Sequence, residues 1–158
     1  MVFQTKWDEN GNVLKRKAQL VVWGFTQCFG TEYTETFSPV VQIETLRVLI
    51  ALAAQFDWEL DQMDVVGAYL NATLPDDEVL YMDPIPGLHD GSNKVHRVVK
   101  SLYGLKQAEH AWNMVLNDFL TMRGYQQLNT DHYVYICTTG QNFTILTVHV
   151  DDMAIWQS

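Results

Sequence analysis

Thr147-Val148-His149-Val150-Asp151-Asp152-Met153-Ala154-Ile155-Trp156 decides how the rest of this chain is read. Two adjacent carboxylates sit between two apolar runs. Phe143 to Val150 is rich in β-branched residues, which pack well on a pleated surface, so it reads as a buried strand. The run after the acids is short and apolar again, which places Asp151-Asp152 at the tight turn of a hairpin. An acidic pair in a turn is ordinarily just solvated. Held at a rigid strand tip, the same pair could bind a divalent cation, provided a third carboxylate arrives from elsewhere in the chain.

Moving outward, the 158 residues suffice for one domain with a core, and 47% apolar and 18% charged residues describe an ordinary globular chain. No apolar run approaches the ~20 residues of a membrane span, and Met1 to Lys6 carries no apolar leader, so neither a membrane partner nor a signal peptide is expected. Cys28 and Cys137 are isolated and read as reduced thiols of a cytosolic protein. A net charge of −9 counts against a nucleic-acid partner, since phosphate binders are usually basic. The distribution is less hostile than the sum. Lys15-Arg16-Lys17 and the stretch Lys94, Arg97, Lys100 and Lys106 are basic, whereas Val48 to Asn93 holds no Lys or Arg and many acids. That segregation describes either a solvated acidic face or an acidic centre between phosphate-gripping arms.

In chain order, Val2 to Trp7 and Val13 to Val22 read as strands joined by a hairpin at Asn10-Gly11, where positive φ is favoured. A long aromatic loop runs from Gly24 to Pro39. From Gln42 to Phe56, Ile43, Leu46, Leu49, Ile50, Ala53 and Ala54 recur at helical spacing, with Arg47 snorkelling beside them. Trp58 to Asp64 alternates as a strand that Asp64 closes. Gly67 and Ala68 then allow a ligand close to the backbone, with Tyr69 just beyond; a plain turn into a short helix with Tyr69 in the core fits equally well. Val79 to Met82 and Lys94 to Lys100 read as short strands between loops. A second helix, about Ala108 to Arg123, presents Ala108, Ala111, Trp112, Val115, Phe119 and Leu120 and stops at Gly124. Tyr133 to Cys137 pairs with Phe143 to Val150. Antiparallel strands with helices to one side indicate an α+β fold. The five histidines show no metal-pair spacing, and phosphate loops, nucleophile elbows and zinc signatures are absent from the sequence.

The third carboxylate is Asp64. If its strand lies beside the hairpin of Asp151 and Asp152, three acids meet on one sheet edge. Carboxylate oxygens suit Mg²⁺, which completes its shell with water and substrate phosphates. Two such ions would activate an attacking hydroxyl and stabilise a leaving pyrophosphate. Without metal, three close acids repel one another.

Five ordered stretches then carry a resemblance. They are Lys17 to Gln27 (KAQLVVWGFTQ), Glu35 to Val41 (ETFSPVV), Leu60 to Asn71 (LDQMDVVGAYLN), Lys100 to Gln107 (KSLYGLKQ) and Val150 to Met153 (VDDM). Together they resemble the reverse transcriptase domain of copia-type LTR retrotransposon Pol polyproteins, in order along nearly the whole chain. The resemblance implies the fingers and most of the palm of a right-hand polymerase, with an antiparallel palm sheet backed by helices. Residues 1–158 would be one partial domain, about 1–55 and 75–107 mainly fingers and about 57–74 and 108–158 mainly palm, with the thumb and RNase H beyond it. It implies Asp64, Asp151 and Asp152 as catalytic acids and, with the Val65 carbonyl, as holders of two Mg²⁺ or Mn²⁺ ions. Tyr69, beside Gly67 and Ala68, would stack under the deoxyribose. Lys17 would grip the triphosphate, and Tyr103, Gly104 and Lys106 would line the nucleotide and template. Implied partners are an RNA or DNA template-primer, dNTPs and the integrase and RNase H of the polyprotein. The implied location is a cytoplasmic virus-like particle, with the nucleus as the other compartment.

The chain departs from that pattern at Gln19 and Trp23, where cations are usual, at Glu109-His110, where Pro-Arg is usual, and at His149, where Tyr or Phe is usual. Lost cations weaken a triphosphate grip. The sequence thus carries two readings: a polymerase fragment that is weak or inactive alone, or a non-catalytic remnant or domesticated RNA-binding module.

Overall fold

In the computed structural model the described residues are 1–36, 41–85, 87 and 91–158. Phe37 to Val40 of the ETFSPVV stretch, together with Pro86 and His89, lie outside them. The centre is a five-stranded antiparallel sheet of order β3-β9-β8-β7-β6, made from Glu59–Asp64, Asp152–Gln157, Asn142–His149, Val134–Thr139 and Gln126–Gln127 respectively. Strands β1 (Val2–Trp7) and β2 (Val13–Gln19) form a separate exposed hairpin, and β4 (Leu80–Met82) pairs only with β5 (His96–Val98). With the helices α1 (Ile43–Phe56) and α2 (Ala108–Thr121), this is an α+β fold.

The sheet is covered on both faces, not on one side as the sequence suggested. Ile145 to Val148 are four consecutive buried residues of β8, so side chains on both faces need cover. On one face α1 places Thr45, Val48 and Leu49 along a cleft shared with Val134, Ile136 and Ile145. On the other, α2 lies over Tyr135, whose hydroxyl is 3.4 Å from Asn117 Oδ1. Asp131, buried, ties α1 to the sheet. Its Oδ2 accepts from Gln42 N (3.0 Å) and Thr45 Oγ1 (2.8 Å), while Oδ1 accepts from Tyr133 N (3.1 Å).

Both helices present narrower apolar stripes than their sequences offered. In α2 the buried residues are Ala108, Trp112, Leu116 and Leu120, an unbroken i, i+4 row; Val115 and Phe119 are exposed, and Arg123 caps the Phe119 ring at 3.4 Å. In α1 only Leu49 and Ala53 are fully buried, with Leu46 packed against them and Ile43, Ile50, Ala54 and Arg47 exposed. The helix stops where Asp57 takes a left-handed conformation (φ 55°). Trp58 therefore precedes β3 instead of starting it, and its ring meets Phe143 edge-on with centroids 4.7 Å apart. Strand β2 ends at Gln19, short of Val22. Val21 instead bridges Tyr103, and Val22 N donates to Tyr103 O (2.8 Å). Among the described residues no helix is long and apolar enough to cross a membrane.

Candidate active site

The β8–β9 hairpin turns one residue earlier than expected. His149 pairs with Asp152, so the two loop residues are Val150 and Asp151, and Asp152 already belongs to β9. Val150 carries the cost, with φ +61°, a conformation that a β-branched side chain rarely adopts. Two contacts hold the loop there. The Trp112 indole N–H donates to Val150 O at 2.8 Å, and Val65 N donates to Asp151 O at 2.8 Å. Trp112 is buried in the core, so the turn is fixed from beneath by α2 and from the side by the chain leaving β3.

The third acid arrives as the sequence suggested. Asp64 is the last residue of β3 and the direct antiparallel partner of Asp152. The backbone thus brings Asp64, Asp151 and Asp152 to one edge of one sheet. Asp64 and Asp152 are exposed and Asp151 is half-buried. Like charges directly opposite across two strands are unfavourable by roughly 0.2–1 kcal/mol, which nothing in sheet packing repays. Carboxylate oxygens with a neighbouring carbonyl at Val65 are the donor set of a hard divalent cation. Among the described residues no three acids or histidines are already closed into a ligand cage. Strand register supplies the proximity and leaves the side chains to close.

Immediately after β3 the chain turns at Gly67 (φ +63°) into a short 3₁₀ helix, Ala68–Asn71, with Ala68 fully buried. The stretch is a turn into a short helix with Tyr69 packed against the core, as one of the two open readings had it. The Tyr69 ring lies 4.5 Å from that of Tyr103, tilted by 53°. Burial first, then Glu109, Tyr103, Asp151 and Tyr133, push the Tyr69 hydroxyl up to about 12. Burial, then Asp151 and Asp64, raise Tyr103 as well. Both phenols therefore stay protonated at neutral pH beside the acidic edge.

The connector carrying Tyr103, Gly104 and Lys106 is locked against the aromatic loop. Gly24 and Gly104 are in backbone contact: a Cβ on Gly24 would overlap Gly104 O, and a Cβ on Gly104 would overlap Val22 O. Gly104 also has φ +95°. Lys106 N donates to Gln27 Oε1 (2.8 Å), and the Lys106 side chain is exposed. Lys17, in contrast, sits in the middle of β2 on the separate hairpin, opposite Gln4, and no contact joins it to the acids among the described residues.

Two structural supports escaped sequence reasoning. Gln107 is buried and donates through Nε2 to Glu32 O (3.0 Å) and Glu78 Oε2 (3.0 Å), while its Oε1 accepts from Gln27 Nε2 (3.2 Å). A polar residue in a connector gave no hint of this. Trp112 is core, as its place on the apolar face of α2 predicts, and its indole bond to Val150 O has no signal in the sequence.

The full chain, residues 1–158, matches the family described as "Reverse transcriptase (RNA-dependent DNA polymerase)". It is 36% identical over 156 residues to the retrovirus-related Pol polyprotein from transposon RE1 of Arabidopsis thaliana. It is 40% identical over 157 residues to the corresponding polyprotein from transposon TNT 1-94 of Nicotiana tabacum. Each alignment covers 98% of this chain but only 10% and 12% of those relatives, so the chain spans about a tenth of their length. A truncated Ty1-A Gag-Pol polyprotein of Saccharomyces cerevisiae is 31% identical over 142 residues, 89% of this chain and 11% of the relative. No solved structure matches. The chain belongs to the reverse transcriptase family, as the reverse transcriptase domain of copia-type retrotransposon Pol polyproteins.

Proposed function

We propose that this chain is the acid-bearing part of an RNA-directed DNA polymerase, with the five-stranded sheet as palm and the β1–β2 hairpin and β4–β5 ribbon as fingers. The observation that carries the reading is the register of β3 on β9, which sets Asp64 opposite Asp152 with Asp151 one residue away. Asp64, Asp151, Asp152 and the Val65 carbonyl would hold divalent cations, Mg²⁺ or Mn²⁺. Bound there, the cations supply charge neutralisation at the attacking 3′-hydroxyl and at the departing pyrophosphate.

The chain's own residues do the rest. Asp151 is positioned through its backbone by the bond from Val65 N, and the preceding Val150 by the bond from Trp112 Nε1. Tyr69, packed against Tyr103 at a tilt and neutral, would offer a ring face to the sugar of an incoming deoxynucleotide. Gly67 and Ala68 keep the backbone beneath it low. Lys17 on its exposed hairpin would reach the triphosphate, and Gly104 and Lys106 would face the template.

Primer extension on poly(rA)/oligo(dT) tests this. The isolated chain is expected to extend slowly in Mg²⁺, to stop in EDTA, and to fall to background as Asp151→Asn. Synthesis that survives Asp151→Asn refutes the acid assignment. The cations missing at Gln19 and Trp23 favour the second reading, a nucleic-acid-binding module without catalysis. Retained binding of template-primer with no extension at any protein concentration would support it.

A further inference from the structure

Trp23 stands where the family resemblance leads one to expect a cation, and the structure shows what that position does instead. Trp23 and Phe25 are stacked on each other, with ring centroids 5.9 Å apart and planes 25° apart, yet they are 71% and 76% exposed. Two large rings ordered in water bury little and cost conformational freedom, so neither hydrophobic burial nor core packing accounts for them. Their backbone is fixed. Trp23 O accepts from Thr26 N (3.0 Å) and from Thr26 Oγ1 (2.7 Å) across the turn Gly24–Thr26, and Gly24 between the rings is jammed against Gly104. The pair is therefore a preformed surface and not a loose loop.

The surroundings narrow what could cover it. Gln27, two residues beyond Phe25, holds the backbone of Lys106, which brings an exposed cation to the neighbourhood. On its other side Trp23 forms the lip of an open cleft of about 510 Å³, lined by Leu20, Val22, Tyr81 and Ile85 together with Met1 and Asp83. A cleft lined mainly by apolar and aromatic side chains accepts the flat faces of bases. The anchoring to Tyr103 and Gly104 places the pair on the connector that continues to Tyr69 and the acids.

We propose that Trp23 and Phe25, with the cleft beside them, are a stacking site for unpaired bases of a single nucleic-acid strand. The template strand as occupant rests on the polymerase reading above; the stacking itself does not. Base–aromatic stacking is tolerant of sequence because every base has a π face, and its loss costs about 5- to 150-fold in affinity per base.

The test uses the whole 158-residue chain in EDTA without dNTPs. Fluorescence anisotropy compares a labelled 12-nucleotide oligo(dT) with the same sugar–phosphate chain lacking bases. The expected result is at least fivefold tighter binding of the base-bearing strand. Trp23→Ala should lose that preference and Trp23→Phe should keep most of it. Trp23→Lys should bind both strands alike and with steeper salt dependence. Equal binding of the two strands by the wild type, an undiminished preference in Trp23→Ala, or no binding of either strand overturns the proposal. So does a Trp23→Ala defect seen only in association with another segment of the polyprotein, which would make the surface a protein contact. Because Trp23 is mostly exposed, its variants should melt with the wild type, which circular dichroism verifies. Asp151→Asn serves as the separating control: it should abolish primer extension while leaving base preference intact, so failure of the catalytic reading and failure of the stacking site give different results.

Discussion

Replacing Val150 by Gly and by Ala gives a direct test of how the acidic turn is held. Val150 sits at φ +61° in the two-residue loop between β8 and β9. For an L-residue with a Cβ the left-handed region costs about 1–2 kcal/mol. Glycine escapes that cost but has about 0.5–1 kcal/mol more backbone freedom to lose on folding. The first effect is larger, so Val150→Gly should be more stable than Val150→Ala by about 0.5–1 kcal/mol. At a residue with ordinary φ the order reverses, because only the entropy difference remains. Comparing the two variants cancels the loss of the valine methyls. Those methyls are half-buried and worth on the order of 1 kcal/mol, so comparison of either variant with the wild type is ambiguous in sign.

Urea denaturation reads the difference. With a slope of about 2 kcal/mol per molar for a domain of this size, the Gly midpoint should lie about 0.25–0.5 M above the Ala midpoint. An Ala midpoint equal to or above that of Gly would falsify the strained-turn argument. It would mean that the Val150 side chain, and not its backbone, defines the position of Asp151. The two bonds that meet this loop, from Trp112 Nε1 and Val65 N, survive in both variants, so neither should displace the carboxylate.

Three further outcomes follow from the geometry. Trp112→Phe removes the bond to Val150 O and part of a buried ring; with about 1 kcal/mol for the bond and about 1–2 kcal/mol for the space left, it should destabilise by about 2–3 kcal/mol in urea and slow primer extension further than that loss explains. Gly24→Ala should destabilise the chain strongly, by at least about 2 kcal/mol, because its Cβ would meet backbone at Gly104 that cannot swing aside as a side chain does; a midpoint like that of the wild type would show that the connector is not locked. Burial holds the Glu109 carboxyl above its usual 4.5, so the fold favours its protonated form. That contribution is complete below 4.5 and disappears as pH rises through the higher folded value. Glu109→Gln should therefore lessen the decline in stability between pH 4 and 7, and an identical pH profile in the two proteins would refute this.

The acidic corner was legible because its signals are local. Phe143 to His149 is dense in β-branched residues, and Asp64 ends an alternating run. Exposure of particular helix residues was not legible, because it depends on the partner surface and not on the side chain. Val115 and Leu116 are equally apolar, yet only Leu116 falls on the row that meets the sheet, and Ile43 and Ile50 are left out of α1's contact for the same reason. A clue to cover on both faces was present in Ile145 to Val148. A strand with one wet face alternates, and this one has four buried residues in succession. The one-residue shift of the turn from Asp151-Asp152 to Val150-Asp151 had no sequence signal, since it uses a conformation that valine disfavours and tertiary contacts enforce.

The family departures near the acids are coupled through space. Glu109 begins α2 and His149 ends β8, forty residues apart in sequence, yet His149 lowers the Glu109 carboxyl against the larger effect of burial. Glu109 in turn raises the Tyr69 hydroxyl, which Asp151 also does. An acid gained at the start of α2 and an aromatic replaced by histidine on β8 are thus two parts of one local charge arrangement. Both groups bear on the potential around Tyr69 and the carboxylate edge. A negative potential there would strengthen attraction for divalent cations and work against an incoming triphosphate. The cation lost at Trp23 acts in the same direction. On the polymerase reading, positive charge for the nucleotide would come mainly from bound metal and from the lysines of the β1–β2 hairpin, where Lys6 and Lys15 lie directly opposite each other and Lys17 follows on the same face. A polymerase built this way should depend more steeply on divalent-cation concentration than a variant in which Glu109→Gln relieves the acidic excess.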